Sequence, residues 1–344
     1  MNTYAILLLP SHNRVYLSQT AVLATAEVEL CSHYLDTKFE NITIQPYGGV
    51  EYVTFQTETD LNFSEIATLS RLSCVYAMFK TDDQYFIPLE KSKFVNFDDD
   101  INSIQKYSGK TNELFTRLML NIAMLSAPCV KNVPHHHIQI LDPVCGRGTT
   151  LFEALTQGYS CTGIELDKKQ CEQLVQFFER YLQTKKYKHQ IETSPITDHK
   201  GIIGRMHSFV MARTKEEFKN NLTLNLKLIQ GDTLLSAKYL KKETFQAIVG
   251  DLPYGVQHGS RSPSGNFTRN PTELLEQALP GWVSLLQKGG ALVLSWNTFV
   301  TPKDKLLSIL EKYGLTCLTE GPYQRFEHRV DQSILRDVIV GIRK

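Results

Sequence analysis

Residues 138–167, IQILDPVCGRGTTLFEALTQGYSCTGIELD, leave this chain few folds to choose from. Ile138 to Leu141 is a short apolar run of the buried-strand kind. It breaks at Asp142-Pro143 into the turn Cys145-Gly146-Arg147-Gly148, and Thr149 to Leu155 then has helical composition. A second short strand, Cys161 to Ile164, delivers Glu165 about twenty residues beyond the turn, where an acidic group can grip a ribose diol. Strand, tight turn, helix, strand and acid make half of a nucleotide-binding α/β fold.

Glycine lets the backbone turn sharply and lets a ligand lie against the main chain at a helix N-terminus. The pattern D-P-x-C-G-x-G-T is not the three-glycine dinucleotide fingerprint. Asp142 at the strand end would sit badly beside a pyrophosphate and well beside a cation such as S-adenosylmethionine, which carries a sulfonium and an amino group. A glycine turn of some other Rossmann-like protein is the plainer alternative. The stretch resembles motif I of class I methyltransferases, with Glu165 as the acid that ends strand two. That resemblance implies a cofactor site built from Asp142, Val144, Gly146, Gly148, Thr149, Glu165 and Leu166.

With 344 residues, 42% of them hydrophobic and 21% charged, the chain has globular composition and room for two domains. No apolar run reaches the roughly 18 residues of a membrane span, and Ile6 to Leu9 reads as a strand rather than part of a leader. Seven cysteines without a CxxC pair argue against a disulfide framework or a zinc site, so no metal is expected and a reducing cytoplasm fits best. Net charge is +1, yet residues 1–130 hold nine Lys and Arg against fifteen Asp and Glu. A bound polyanion therefore belongs on the remainder of the chain.

Residues 1–97 read as βαββαββ: a strand at Thr3 to Leu9, a helix from Val15 to Tyr34, a hairpin about Pro46-Tyr47-Gly48-Gly49, a short helix capped by Asn62 or Ser64, and a second hairpin about Thr81-Asp82-Asp83. The order predicts a small α+β domain. Asp98-Asp99-Asp100 is expected to be a solvated boundary rather than a metal site, and residues 98–344 the second domain. Asn112 to Leu125 has helical spacing of apolar residues, as does Asp167 to Lys186 with Leu174, Phe177, Phe178 and Tyr181. His135-His136-His137 is a poor chelating run, because consecutive residues point in different directions, and reads as a polar cap on the incoming strand. Cys145 is expected to be a small side chain facing the cofactor pocket rather than a nucleophile.

Residues 185–221 are longer than a helix-to-strand connection needs and read as an insertion, either RNA-facing, with Tyr187 and Phe209 among its cations, or plainly solvated. Leu224 to Gln230 is the third strand and ends in Gly231-Asp232-Thr233, where Asp232 can accept a hydrogen bond from an adenine amino group. Thr244 to Val249 is the fourth. Helices are expected at Pro271 to Leu286 and Lys303 to Tyr313, a turn at Lys288-Gly289-Gly290, and strands at Ala291 to Trp296, Leu315 to Thr319 and Ile334 to Ile342. The loop from Gln257 to Asn270 either closes over a bound nucleotide or is plain surface.

The fourth strand ends in Asp251-Leu252-Pro253-Tyr254-Gly255. An exocyclic base amine is a weak nucleophile, its lone pair being delocalised into the ring, so it must be held. An acceptor side chain and neighbouring backbone carbonyls can take its two N–H groups while an aromatic ring stacks on the base. Asp251, the carbonyls about Pro253, and Tyr254 supply those elements as the catalytic set. With this motif the chain resembles the amino-methyltransferases of the (D/N)-P-P-(Y/F) type, most closely the tRNA guanosine-N2 methyltransferase family, over about residues 105–344.

The resemblance implies a Rossmann-like seven-stranded class I methyltransferase sheet behind a small ferredoxin-like α+β domain. It also implies S-adenosylmethionine as cofactor, with Asp232, Thr233 and Asp251 completing its site, and RNA, most readily tRNA, as partner. Leu252 stands where the family has its first proline, and residues 1–100 hold no recognisable THUMP domain. The glycine turn precedes D-L-P-Y, an order that favours RNA, or the class of DNA amino-methyltransferases with the same order, and does not distinguish guanine from adenine. Adenine-N6 methylation of DNA or RNA, and a catalytically silent relative, remain open at this point.

Overall fold

The computed structural model describes the whole chain except residues 11–13, 83, 93–96, 108, 132 and 254–270. Its first part is β1 (Asn2–Leu8), α1 (Arg14–Tyr34), β2 (Glu40–Tyr47), β3 (Val50–Thr57), α2 (Phe63–Leu69), β4 (Val75–Thr81) and β5 (Phe86–Leu89). This is the expected βαββαββ, folded as one antiparallel sheet in the order β2-β3-β1-β4-β5. Gly48 and Gly49 both have positive φ, which a two-residue hairpin turn of matching twist requires. Pro46 is tolerated because β2 is an edge strand. Asn62 and Glu65 form a reciprocal capping box at the start of α2.

The amphipathic pattern of α1 is blurred because the helix is buried on two sides. Ala24, Val28 and Cys31 pack on the first sheet, whereas Tyr16, Leu23, Ala26 and Leu30 join the core of the second part of the chain. Between them the fully buried Glu27 carboxylate accepts hydrogen bonds from the Ser73 backbone N–H and hydroxyl and from the Asn121 amide at 2.7 Å. Buried carboxylates need such partners.

The second part begins with α3 (Asp100–Ile104) and α4 (Glu113–Ser126). It continues through β6 (Gln139–Asp142), α5 (Thr149–Thr156), β7 (Ser160–Glu165), α6 (Lys168–Thr184), β8 (Lys188–Asp198), β9 (Gly201–Ala212), α7 (Lys215–Lys219), β10 (Leu224–Gln230), α8 (Ser236–Tyr239) and β11 (Phe245–Asp251). It ends with α9 (Pro271–Leu285), β12 (Leu286–Asn297), α10 (Lys303–Lys312), β13 (Leu315–Leu318), β14 (His328–Arg329) and β15 (Leu335–Arg343). The sheet runs β13-β15-β12-β11-β6-β7-β10-β9-β8. From β10 to β12 the strands are parallel, and β15 and β13 are the antiparallel pair that closes the set. These seven strands are the class I methyltransferase sheet.

Residues 185–221, expected as an insertion, form β8, β9 and α7, and the two strands extend the sheet beyond the seven, with β9 antiparallel to β10. Other expectations are corrected. Phe209 and Tyr187 are buried against Phe178 and Phe97, so neither is free to stack on a base. Lys288-Gly289-Gly290 is not a turn but part of β12, where a register shift against β11 absorbs the glycines. Asp98 and Asp100, at the expected boundary, both clamp Lys185 at the end of α6, at 2.9 and 2.6 Å.

Candidate functional site

In open α/β sheets ligands bind at the carboxyl ends of the strands, where the strand order reverses. Here that point is β6, flanked by β7 on one side and β11 on the other. Four predicted acids gather on this rim: Asp142 ends β6, Glu165 ends β7, Asp232 follows β10 and Asp251 ends β11.

The turn after β6 needs both its glycines. Gly146 and Gly148 lie at φ +52° and +85°, and a Cβ on Gly148 would come within 2.7 Å of Leu174 Cδ1 on α6. Glu165 ties the turn to β7: one carboxylate oxygen accepts from the Gly146 N–H at 2.9 Å and the other from the Asp167 N–H at 2.7 Å. A carboxylate has about four acceptor positions, so capacity is left for hydroxyl groups. Burial pushes Glu165 upward against the two N–H groups that hold it down.

Asp142 is 2% exposed. Its Oδ1 accepts from the Val144 N–H at 3.1 Å. Burial pushes its pKa up to about 7, opposed by the Thr150 hydroxyl and the Val144 N–H and reinforced by the charges of Asp251 and Glu165. The Arg147 side chain does not neutralise this cluster, because its guanidinium lies over the Tyr107 ring, 4.6 Å from the centroid. A rim of crowded carboxylates fits a cationic ligand and disfavours a pyrophosphate.

The remaining predicted residues divide. Leu166 is 41% exposed and presents an apolar surface beside Glu165. Asp232 caps the turn behind it, accepting from the Leu234 N–H at 3.0 Å. The hydroxyl of Thr149 meets Tyr107 at 2.9 Å, and that of Thr233 accepts from the Trp282 indole at 2.9 Å, so both also brace the scaffold. Val144 packs beside the core. Cys145 does not face the pocket; it is buried in the core against Gly163, where a Cβ would come within 2.6 Å of its sulfur. His135 to His137 form one 3-10 turn leading into β6. Among the described residues no group of three His, Cys, Asp or Glu could hold a metal ion.

Asp251 is held on several sides. Thr111 Oγ1 donates to Oδ2 at 2.7 Å, the Ser295 hydroxyl donates to Oδ1, and Arg336 lies 3.7 Å from Oδ2. Arg336 in turn stacks on Phe115 at 4.6 Å. Leu252 is buried, and its backbone N–H donates to the Ser295 carbonyl at 2.9 Å, a bond that proline could not make. Pro253 is exposed. Tyr254 and the loop from Gln257 to Asn270 lie outside the described residues.

Sequence reasoning missed Thr111, Ser295 and Arg336. Ser295 carried a signal, as the polar residue in the apolar strand ALVLSW. Thr111, which precedes α4 by one cap residue, and Arg336, in the last strand, carried none, because their meeting with Asp251 is wholly tertiary.

A cleft of about 530 Å³ opens beside this network, lined by Tyr16, Lys110, Thr111, His328, Arg329 and Arg336. It thus brings α1 of the first sheet's layer to the edge of the site. His328 is buried there with Nδ1 2.9 Å from the Phe326 carbonyl, and burial lowers its pKa to about 4.

The family described as RMKL-like, methyltransferase domain, matches residues 132–296, which include the glycine turn, all four rim acids and Ser295. Curated proteins give no match. Among solved structures, TrmN from Thermus thermophilus is similar at 12% identity over 90% of this chain and 60% of that one, with a TM-score of 0.39. A TehB-like S-adenosylmethionine-dependent methyltransferase from Corynebacterium glutamicum is similar at 16% identity over 62% of this chain and 85% of that one, TM-score 0.35. The magnesium protoporphyrin IX methyltransferase of Synechocystis PCC 6803, with S-adenosylmethionine bound, is similar at 12% identity over 69% and 87%, TM-score 0.36. The cofactor that goes with the matched methyltransferase domain is S-adenosylmethionine, and the carboxylate rim fits its cationic groups.

Proposed function

We propose that the chain methylates an exocyclic base amine of RNA, guanosine-N2 in tRNA, as a cytoplasmic S-adenosylmethionine-dependent enzyme. The observation that carries this reading is the Asp251 carboxylate, fixed by Thr111, Ser295 and Arg336 at the end of β11 and followed by the buried Leu252 and then the exposed Pro253. The match of residues 132–296 to a methyltransferase domain supports it.

In this reading Glu165 accepts from the ribose hydroxyls, Leu166 covers one face of the adenine, and Asp232 accepts from the adenine amine with the oxygen that its cap leaves over. The backbone about Val144, Gly146 and Gly148, with Thr149, forms the wall, and Asp142 balances the cationic end, with Thr233 holding the loop behind. When bound, S-adenosylmethionine supplies a methyl group on a sulfonium. Asp251 and the carbonyls of Leu252 and Pro253 hold the two N–H groups of the target amine in line with it, and Tyr254 stacks on the base. Asp251 need not be a strong base, since the nitrogen can lose its proton after transfer.

We assign residues 1–97 to a small module and 98–344 to the catalytic domain. The clamp of Asp98 and Asp100 on Lys185 supports that division, because it fastens the chain to α6 just past the boundary. The test is mass spectrometry of nucleosides from tRNA, rRNA and DNA of cells with and without the chain. Loss of N2-methylguanosine from tRNA is expected. Loss of N6-methyladenine alone would replace guanine by adenine, and loss of no modified base amine would refute the reading.

A further inference from the structure

The β8–β9 hairpin is longer than the edge it completes. β9 pairs with β10 from Met211 opposite Leu224 to Arg205 opposite Gln230, and Gln230 is level with Glu165 on β7. Residues 201–204 and their partners on β8 therefore run on past the rim, by about 13 Å at roughly 3.3 Å per residue. The hairpin's tip overhangs the face on which the site is built.

This overhang is braced. Asp198 at the tip pairs with Lys238 of α8 at 3.4 Å. The Tyr239 hydroxyl donates to the Ile203 carbonyl at 3.2 Å and accepts from the Asp232 N–H at 3.1 Å. Gly231 lets this tyrosine come close, since a Cβ there would stand 2.7 Å from its hydroxyl oxygen. The arm is thus tied to the loop that carries Asp232.

Its outer surface is cationic. His199, Lys200 and Arg205 are exposed, and among the described residues neither Lys200 nor Arg205 has a carboxylate within ion-pair distance. Lys186 and Lys188 are exposed at the base of the same hairpin. Of these, Lys200 and Arg205, exposed at the tip on a braced support that overhangs the rim, suit a phosphate backbone, whose contacts position a nucleic acid while the base is read elsewhere.

We propose that the tip of the β8–β9 hairpin is an RNA docking arm that holds the substrate's phosphates away from the target base. The inference rests on the reading of the site as acting on a base amine of RNA. It gives that site a substrate class, because β9 lies four strands from β11, about 19 Å at roughly 4.8 Å per strand. A free nucleoside cannot touch both the arm and Asp251, whereas a polynucleotide can.

The test is Lys200→Glu combined with Arg205→Glu in the full chain. Binding of bulk tRNA and of duplex DNA is followed by fluorescence anisotropy from about 50 to 200 mM salt, where phosphate contacts dominate affinity. S-adenosylmethionine binding, thermal melting and methyl transfer to tRNA are measured alongside. The expected result is a loss of at least tenfold in tRNA affinity and a salt slope lower by about 2, given a slope near 0.9 per phosphate neutralised. Melting and cofactor affinity stay as in the wild type, and transfer falls through KM rather than kcat. Unchanged tRNA affinity overturns the arm, whatever happens to transfer. Duplex DNA bound more tightly than tRNA, and lost in the variant, overturns RNA as the occupant. If the wild type transfers no methyl group to any nucleic acid while tRNA binding still depends on the two residues, the arm stands and the methylation reading falls.

Discussion

Ser295 and Asp251 are register partners across the parallel pair β11–β12, and the Ser295 hydroxyl donates to the carboxylate while its carbonyl receives the N–H of Leu252. One strand residue thus fixes both the acceptor side chain and the first backbone unit of the D-L-P-Y turn. Ser295→Ala should lower kcat for methyl transfer by roughly tenfold or more, since a hydrogen bond to a charged group contributes about 1.5 to 3 kcal/mol. Cofactor affinity, measured by calorimetry, should hold. A kcat equal to wild type would separate Ser295 from the reaction.

The same bond bears on the leucine that departs from the family motif. Leu252→Pro removes the donor to the Ser295 carbonyl and a buried side chain together, and should lower stability by about 3 kcal/mol or more. Urea unfolding measures it. A variant as stable as the wild type would mean that the turn tolerates the family's proline.

Gly148→Ala should also destabilise, by at least about 1 to 2 kcal/mol for the left-handed conformation alone, with more from displacing Leu174. Unfolding should detect this even without cofactor.

Asp142 makes cofactor binding depend on pH. Its folded pKa of about 7 lies above the ordinary carboxylate range, so the free protein carries the proton below that pH. A cationic ligand favours the ionised form, and affinity should fall by roughly tenfold from about pH 8 to pH 6. The sign for the unliganded fold is the opposite: a raised acid pKa means that its share of stability falls as pH rises from about 4 to 7, then levels off. Asp142→Asn should flatten both profiles. Affinity that is constant from about pH 6 to 8 in the wild type would contradict the assignment of Asp142 to the cationic end of the ligand.

Local signals carried the fold far. Gly146, Gly148, Glu165 and Asp251 stand at turns and strand ends that short-range chemistry dictates, and the βαββαββ order of the first part followed from hairpin glycines and a capping asparagine. What the chain kept hidden was tertiary. The two buried faces of α1 cancel its amphipathic period, and β8 is an edge strand whose polar, Pro195-bearing sequence lacks the alternation of a half-buried strand. Phe209 lies in a basic stretch of sequence, and only the tertiary fold buries it against Phe178. Arg336 reaches Asp251 only because β15 lies next to β12.

The most direct measurement is radiolabelled methyl transfer to bulk tRNA lacking its own modification, by the wild type and by Asp251→Ala, with S-adenosylmethionine affinity measured on the same preparations. The expected result is transfer by the wild type, loss of transfer in Asp251→Ala, and retention of most cofactor affinity, because Asp142 and Glu165 remain. Full transfer by Asp251→Ala would contradict it.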